Sequence, residues 1–310
     1  MLKTKTRAPR KSLSVRLKRD WQLYLLILPV LAYFFVFNYL PLYGIQIAFR
    51  NYRFVDGITR SPWVGLEHFR TFFNSFFFTR LLWNTFILNL YHLLWSFPFP
   101  IILAIMINRL GNHRFKRFAQ TTVYIPNFIS IMVMAGMIYI FCAPAFGLFN
   151  VMIRGMGGST VHFLSDPGWF RTVFIASGIW QGAGWGSILY LAALTGIDQE
   201  MYEAATVDGA TILQKIRYIE LPSLIPIATM VLILSCGQLF SSHTEKALLL
   251  QTPGNIPTSD IIGLYVFRVG IGQGRFSFTA AIGLFANVVN FAIILIANYS
   301  AKKLSGTSMF

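Results

Sequence analysis

Residues Glu203–Pro222 read EAATVDGATILQKIRYIELP, and they interrupt a chain made mostly of long apolar runs. The aliphatic residues Ile212, Leu213, Ile216 and Ile219 fall on one helical face, while Gln214, Lys215 and Arg217 point elsewhere. Ahead of them Glu203, Ala204 and Ala205 form a small-residue patch that ends at Asp208-Gly209, where a helix can stop and the chain turn sharply. Pro222 suits the first turn of the helix that follows. The segment reads as helix, turn, helix and then a membrane helix. Two uses fit it: an amphipathic helix lying on a lipid surface, or a knob that enters a groove on a cytoplasmic partner. Burying its aliphatic side chains contributes roughly 6–12 kcal/mol gross, at about 1.5–3 each, and association entropy takes back much of that. The side of the membrane it faces decides between them.

The surrounding runs establish that there is a membrane to face. Of the 310 residues 55% are hydrophobic and 12% charged, too little charge to keep a soluble domain of this length dispersed. A bilayer core takes about 20 apolar helical residues, and six runs supply them: 21–49, 80–108, 122–143, 170–196, 222–242 and 278–300. None carries Asp, Glu, Lys or Arg in its central part. Helices are the required form, because an open strand leaves backbone groups unpaired in lipid, and the runs are too long and unalternating for a closed barrel. The expected fold is an all-α membrane protein with six transmembrane helices over 21–303. A basic tail, 1–20, precedes them and a short tail, 304–310, follows. The first run is about twice the length of a signal-peptide core and has no small-x-small site close behind it, so it reads as an uncleaved span.

Orientation follows from the basic residues. Lys3, Lys5, Arg7, Arg10, Lys11, Arg16, Lys18 and Arg19 precede the first run; Arg109, Arg114, Lys116 and Arg117 follow the second; Lys215 and Arg217 lie in the opening segment, and Lys302 and Lys303 near the end. These are 16 of the 26 basic residues, all in the shorter loops and tails of one side, and the positive side is cytoplasmic. Both termini and the 203–222 segment are expected inside. The longer loops at about 50–79, 143–169 and 243–277 are expected outside, with Trp63, Trp83 and Trp169 at or near the boundaries. The net charge of +15 is therefore a matter of topology and anionic lipid, not of nucleic acid. Cys142 and Cys236 make neither a disulfide framework nor a zinc spacing and read as small buried hydrophobes. Pro98 and Pro100 interrupt the second run, as a packing kink or as a bend around a cavity.

The order Glu203-Ala204-Ala205, three residues, Gly209, nine residues, Ile219, one residue, Leu221-Pro222 resembles, at every defined position, the coupling-loop signature of binding-protein-dependent ABC importer permeases. The six-run layout is similar to the carbohydrate-uptake branch that includes maltose-transporter permeases. The stretches LPVLAYFFVFNYLPLYGIQIAFRNY and RFKRFAQTTVYIPNFIS are most similar to permeases for complex oligosaccharides and polysaccharides. The resemblance implies that residues 200–222 dock into a cleft of an ATPase subunit through Glu203, Ala204, Ala205, Asp208, Gly209, Ile219, Leu221 and Pro222. It implies a multi-pass protein of the bacterial plasma membrane. The partners it implies are a second, similar permease, a pair of cytoplasmic ATPases that hold ATP and Mg, an extracytoplasmic solute-binding protein and an oligosaccharide. The charge-derived topology independently puts the segment on the side where ATP is. The chain itself has no Gly-x4-Gly-Lys-Ser/Thr loop, and GIGQG at 270–274 reads as an irregular turn, so no ATPase site and no cofactor are expected in it.

A sugar site needs hydrogen-bonding side chains and aromatic faces, and polar groups within spans tend to face the bundle interior. In SGIWQGAGWGS, Gly178, Gly182 and Gly186 give one bare face suited to close packing. Gln181 and Trp185 share another face, where an indole could stack on a pyranose while the amide bonds hydroxyls. Ser235, Gln238 and Ser242 align in the fifth run, although serine also bonds back to its own helix. In maltose-type relatives these two spans touch sugar. The resemblance carries that role to Gln181, Gly182 and Trp185, and to Ser235, Gln238, Leu239 and Ser242, with Leu239 standing where a relative has a polar residue. Asn84, Trp95, Asn287 and Asn290 are weaker candidates.

The competing functions lack their machinery. An ion-coupled secondary transporter needs an intramembrane acid or base, and often inverted halves. A membrane enzyme needs a constellation, and His68, His92, His113, His162 and His243 are scattered without metal spacing or a nucleophile motif. His92 reads as a packed histidine.

Overall fold

The computed structural model describes residues 21–240 and 243–305. The basic tail, Ser242 and nearly all of 304–310 lie outside the described residues. The chain is nearly all helical; among the described residues strand-like pairing is confined to two isolated bridges, Arg50 with Trp63 and Arg53 with Gly57. Helix α1 (Trp21–Phe34) continues through a π-helical turn, Phe35–Tyr39, into a 3-10 stretch, Leu40–Phe49. None of the α1 side chains is buried, and the end at Leu40–Phe49 packs on the last helix, α12 (Phe276–Ser305).

Among the described residues four helical runs are long and apolar enough to cross a membrane: Trp21–Phe49, Phe78–Asn108, Ile212–Cys236 and Phe276–Lys303. The run Phe78–Asn108 holds α2 (Phe78–Ser96) and α3 (Pro98–Asn108), which the two prolines divide at Phe97. Phe97 keeps right-handed helical dihedrals, so the interruption is local.

The expected third span, 122–143, is not one straight helix. Helix α4 (His113–Tyr124), with a 3-10 turn to Phe128, meets α5 (Ile131–Phe141) at a bend of 97°. Pro126 tightens the turn, and the extended Ser130 restarts the chain as an N-cap whose Oγ accepts from the Val133 amide at 3.3 Å. Counted together the pair makes a fifth candidate span. Helix α6 (Pro167–Thr195) is a continuous 29 residues. It is not among the runs that pass on apolarity, because glycine, serine, glutamine and tryptophan occupy its middle. The count of apolar spans is thus four, or five with the bent pair, against the six expected.

After α6 come α7 (Gln199–Val207), α8 (Ile212–Lys215), α9 (Leu221–Cys236), α10 (Thr244–Leu250) and α11 (Ile262–Gln273). Helix α6 runs through the centre, burying Phe170, Phe174 and Ile175 near its start and Tyr190, Leu191 and Leu194 near its end. The first group joins a cluster with Leu88, Met134, Leu250 and Ile261; the second joins Ala104, Ile107 and Leu224. A third, aromatic cluster gathers Phe72, Leu239, Phe240, Tyr265 and Phe278. Fully buried Asp260 pairs with Arg80, near the start of α2, at 3.2 Å and with Arg268, further along the chain, at 3.0 Å.

Candidate coupling segment and cavity

The segment 199–222 is built by local hydrogen bonding. Asp198 caps α7, its side chain accepting from the Glu200 amide at 3.0 Å. The helix ends at Asp208, and Gly209 takes φ 72°, a left-handed conformation that costs a residue with a Cβ about 1–2 kcal/mol. The amides of Gly209 and Ala210 then donate back to the Thr206 and Ala205 carbonyls at 3.1 and 2.9 Å, closing the helix end. Thr211 and Gln214 form a capping box at the start of α8. Lys215 Nζ donates to Thr206 Oγ1 at 2.7 Å and ties the two arms of the turn together. A π-helical turn, Ile216–Glu220, then leads into α9, with Pro222 in its first turn.

That π turn divides the aliphatic face expected from the sequence. Ile219 is buried, and Ile216 is half-buried against the cluster of α3, α6 and α9. Ile212 and Leu213 remain 65% and 76% exposed, and Val207, one turn earlier, is 88% exposed. The outward apolar tip is therefore Val207, Ile212 and Leu213, rather than the four-residue stripe. Glu203, Ala204, Asp208 and Gly209 are exposed beside it, and Ala205 is half-buried. Leu221 and Pro222 are exposed as well.

Beneath the turn lies a contact that the sequence does not announce. Glu220 is fully buried; Arg109 Nε, at the end of α3, pairs with its Oε1 at 2.9 Å, and the Tyr202 hydroxyl donates to the same oxygen at 3.2 Å. Burial pushes the Tyr202 phenol up to about 12, and the adjacent Glu220 charge and its hydrogen bond add to the effect. Three segments far apart in sequence, α3, α7 and the start of α9, meet at this carboxylate.

The residues expected at a sugar site do not all converge. Gln181, Gly182 and Gly178 line a cavity of about 390 Å³ with Asn127, His92, His243 and Lys246. Gln181 Nε2 donates to the Ile129 carbonyl at 2.8 Å, on the backbone freed by the 97° bend. Trp185 is exposed and meets Phe128 edge to face at 5.9 Å. Ser235 Oγ bonds back to the Val231 carbonyl at 2.8 Å, Gln238 is exposed, and Leu239 is buried in the aromatic cluster. Ser242 lies outside the described residues. Of the weaker candidates, Asn84 is buried, holding the Pro257 carbonyl at 2.8 Å, and Asn290 accepts from the Phe240 amide at 2.8 Å. Both brace loops. Trp95 and Asn287 are exposed. Sequence reasoning missed Lys246, His243 and Asn127 as cavity groups; a lysine at the head of the apolar stretch ALLL, just after the fifth run, was the available signal.

The glycine stripe of α6 also resolves into separate jobs. A Cβ on Gly186 would meet the Pro100 ring at 3.1 Å, and one on Gly178 would meet His92 and Lys246, while Gly182 has nothing within 4 Å. The tightest approach is at Gly184, outside the stripe, where the Val123 carbonyl rests against the helix.

Comparison with known proteins places this arrangement. Residues 96–306 match the family model described as "Binding-protein-dependent transport system inner membrane component". The chain is 40% identical to Protein LplB of Bacillus subtilis (strain 168), over 95% of this chain and 92% of that one. It is 39% identical, over the same shares, to the polygalacturonan/rhamnogalacturonan transport system permease protein YteP of the same organism. It superposes with a TM-score of 0.87 and 39% identity on a chain of a bacterial ABC transporter involved in the import of the acidic polysaccharide alginate, covering 94% of this chain and 99% of that chain. With the family model spanning more than half of its length, this chain belongs to the inner membrane components of binding-protein-dependent transport systems, the permease subunits of ABC importers.

Proposed function

We propose that the chain forms half of the translocation path of an ATP-driven importer for oligosaccharides released from polysaccharides. The observation that carries the reading is the superposition, over nearly all of both chains, on a chain of the alginate importer. The similarity to a polygalacturonan/rhamnogalacturonan permease supports the same cargo class. Six helices cross the membrane, the bent α4–α5 pair serving as the third and α6 as the fourth, and both termini face the cytoplasm. The segment 200–222 is then a cytoplasmic coupling loop. The exposed tip of Val207, Ile212 and Leu213 enters a cleft of an ATPase subunit, with Glu203, Asp208 and Gly209 at its centre. A second permease completes the path, an ATPase pair holds ATP and Mg, and a binding protein delivers cargo from outside. Closure of the ATPases pulls on the turn, and the buried Arg109–Glu220–Tyr202 contact passes the movement to α3 and α9 as a rigid-body shift.

The test is uptake by the complete importer carrying Glu203→Lys or Gly209→Asp. Both variants are expected to insert normally, to lose ATP-dependent uptake and to release the ATPase on purification. Unchanged uptake in both would refute the coupling role.

A further inference from the structure

Lys246 on α10 takes no part in the coupling contact and stands in an unusual position. It is 4% exposed, yet among the described residues no carboxylate lies within ion-pair distance of it. Its Nζ donates to the Phe174 carbonyl at 2.6 Å and sits 4.5 Å from the centre of the Phe174 ring. That carbonyl has another partner in Ser177 Oγ at 3.1 Å, so it does not depend on the lysine. An ammonium has three donors, and two remain to be used. Burying a cation without a counter-ion is costly, and a ligand that brings the counter-ion relieves the cost.

The surroundings are built for such a ligand. His92 Nε2 and Lys246 Nζ lie 3.0 and 3.1 Å from the point where a side chain on Gly178 would begin, so the missing Cβ makes room for both. The rings of His92 and His243 stand 4.1 Å apart. Asn89 Nδ2 donates to the Thr85 carbonyl at 2.8 Å, which orients its amide so that Oδ1 accepts from His243 Nδ1 at 3.2 Å. The hydrogen on that ring is thereby fixed, and Nε2 has no partner among the described residues. His243 has φ 66°, the only positive φ at a non-glycine residue among those described, a strain that clusters at ligand sites. These groups share with Gln181 a cavity of about 390 Å³, within the range of roughly 300–1,000 Å³ common for small-molecule sites. Glu245 also lines it, but is exposed.

We propose that this cavity binds the carboxylate of an acidic saccharide, a uronate unit of the transported chain, with Lys246 as its counter-ion. His92 lies beside the carboxylate, and His243 Nε2 and Gln181 Oε1 accept from neighbouring hydroxyls. This rests on the reading of the chain as an oligosaccharide permease and names the class of oligosaccharide: a neutral sugar supplies hydroxyls but no charge for the buried ammonium.

The experiment measures equilibrium binding of trigalacturonate, and of its carboxyl-reduced neutral trimer, to the detergent-solubilised permease–ATPase complex. Lys246→Met is expected to weaken trigalacturonate binding at least tenfold and the neutral trimer less than twofold, with Lys246→Arg retaining most of the acidic affinity. Gly178→Ala, which displaces both His92 and Lys246, is expected to give the same selective loss, so the result does not depend on one variant folding. Equal loss for both trimers, or no loss for either, overturns the site. A wild-type complex that binds neither trimer, or prefers the neutral one, also overturns it. ATP-driven oligosaccharide uptake by proteoliposomes of the complete importer is measured in parallel; its absence overturns the importer reading as well, whereas its presence leaves that reading standing without the carboxylate site.

Discussion

Glu220 illustrates how a single residue changes meaning between sequence and structure. In the sequence it is one polar position in an amphipathic segment, and Arg109 is one of the charges that orient the chain. In the structure the two meet at 2.9 Å, with the Tyr202 hydroxyl on the same oxygen. No periodicity could pair positions so far apart. Removing the charge while keeping the shape, Glu220→Gln, leaves the guanidinium without its counter-charge. Because Arg109 is partly solvated, the loss is about 2 kcal/mol. It is expected as a lowered thermal midpoint of the purified complex, accompanied by reduced uptake per ATP hydrolysed. An unchanged midpoint would mean that the contact braces nothing. Gly209 was legible for the opposite reason: a left-handed turn after a helix is a local requirement, and glycine answers it wherever it occurs.

At the level of elements, apolar length read well and direction read poorly. The Pro98 and Pro100 interruption fell where expected, between α2 and α3. The bend between α4 and α5 did not, because residues 122–143 are mostly apolar and only Pro126, Asn127 and Ser130 mark the turn. The face of α8 was read as continuous with Ile216 and Ile219, since a uniform 3.6-residue period was assumed; one π-helical turn shifts the register and sends those two inward. The glycines of α6 give the cleanest test of packing. Gly184→Ala drives a methyl group into the Val123 backbone, and overpacking of this kind destabilises by about 1–3 kcal/mol. Gly182→Ala meets nothing and is expected to leave thermal stability unchanged. Equal midpoints for the two variants would contradict the close crossing of α4 over α6.

Across the whole molecule, hydropathy and basic residues sufficed to suggest a helical membrane protein and a sidedness. They could not show that α6 is central, because its middle is the least apolar of the long helices, nor that the cavity is completed by α10, which follows the fifth run as a short helix. The segment 200–222 couples the membrane helices to an ATPase only if it stands on the cytoplasmic side. Its tip offers a direct probe in Val207, 88% exposed beside the Gly209 turn. Cys142 and Cys236 are first replaced by alanine, cysteine is introduced as Val207→Cys, and labelling by a membrane-impermeant maleimide is measured in intact cells and in inside-out vesicles. The expected result is no labelling in intact cells and full labelling in stripped vesicles, with labelling blocked when the ATPase subunits are added back. Labelling of intact cells, or labelling of vesicles that the ATPase leaves untouched, would contradict it.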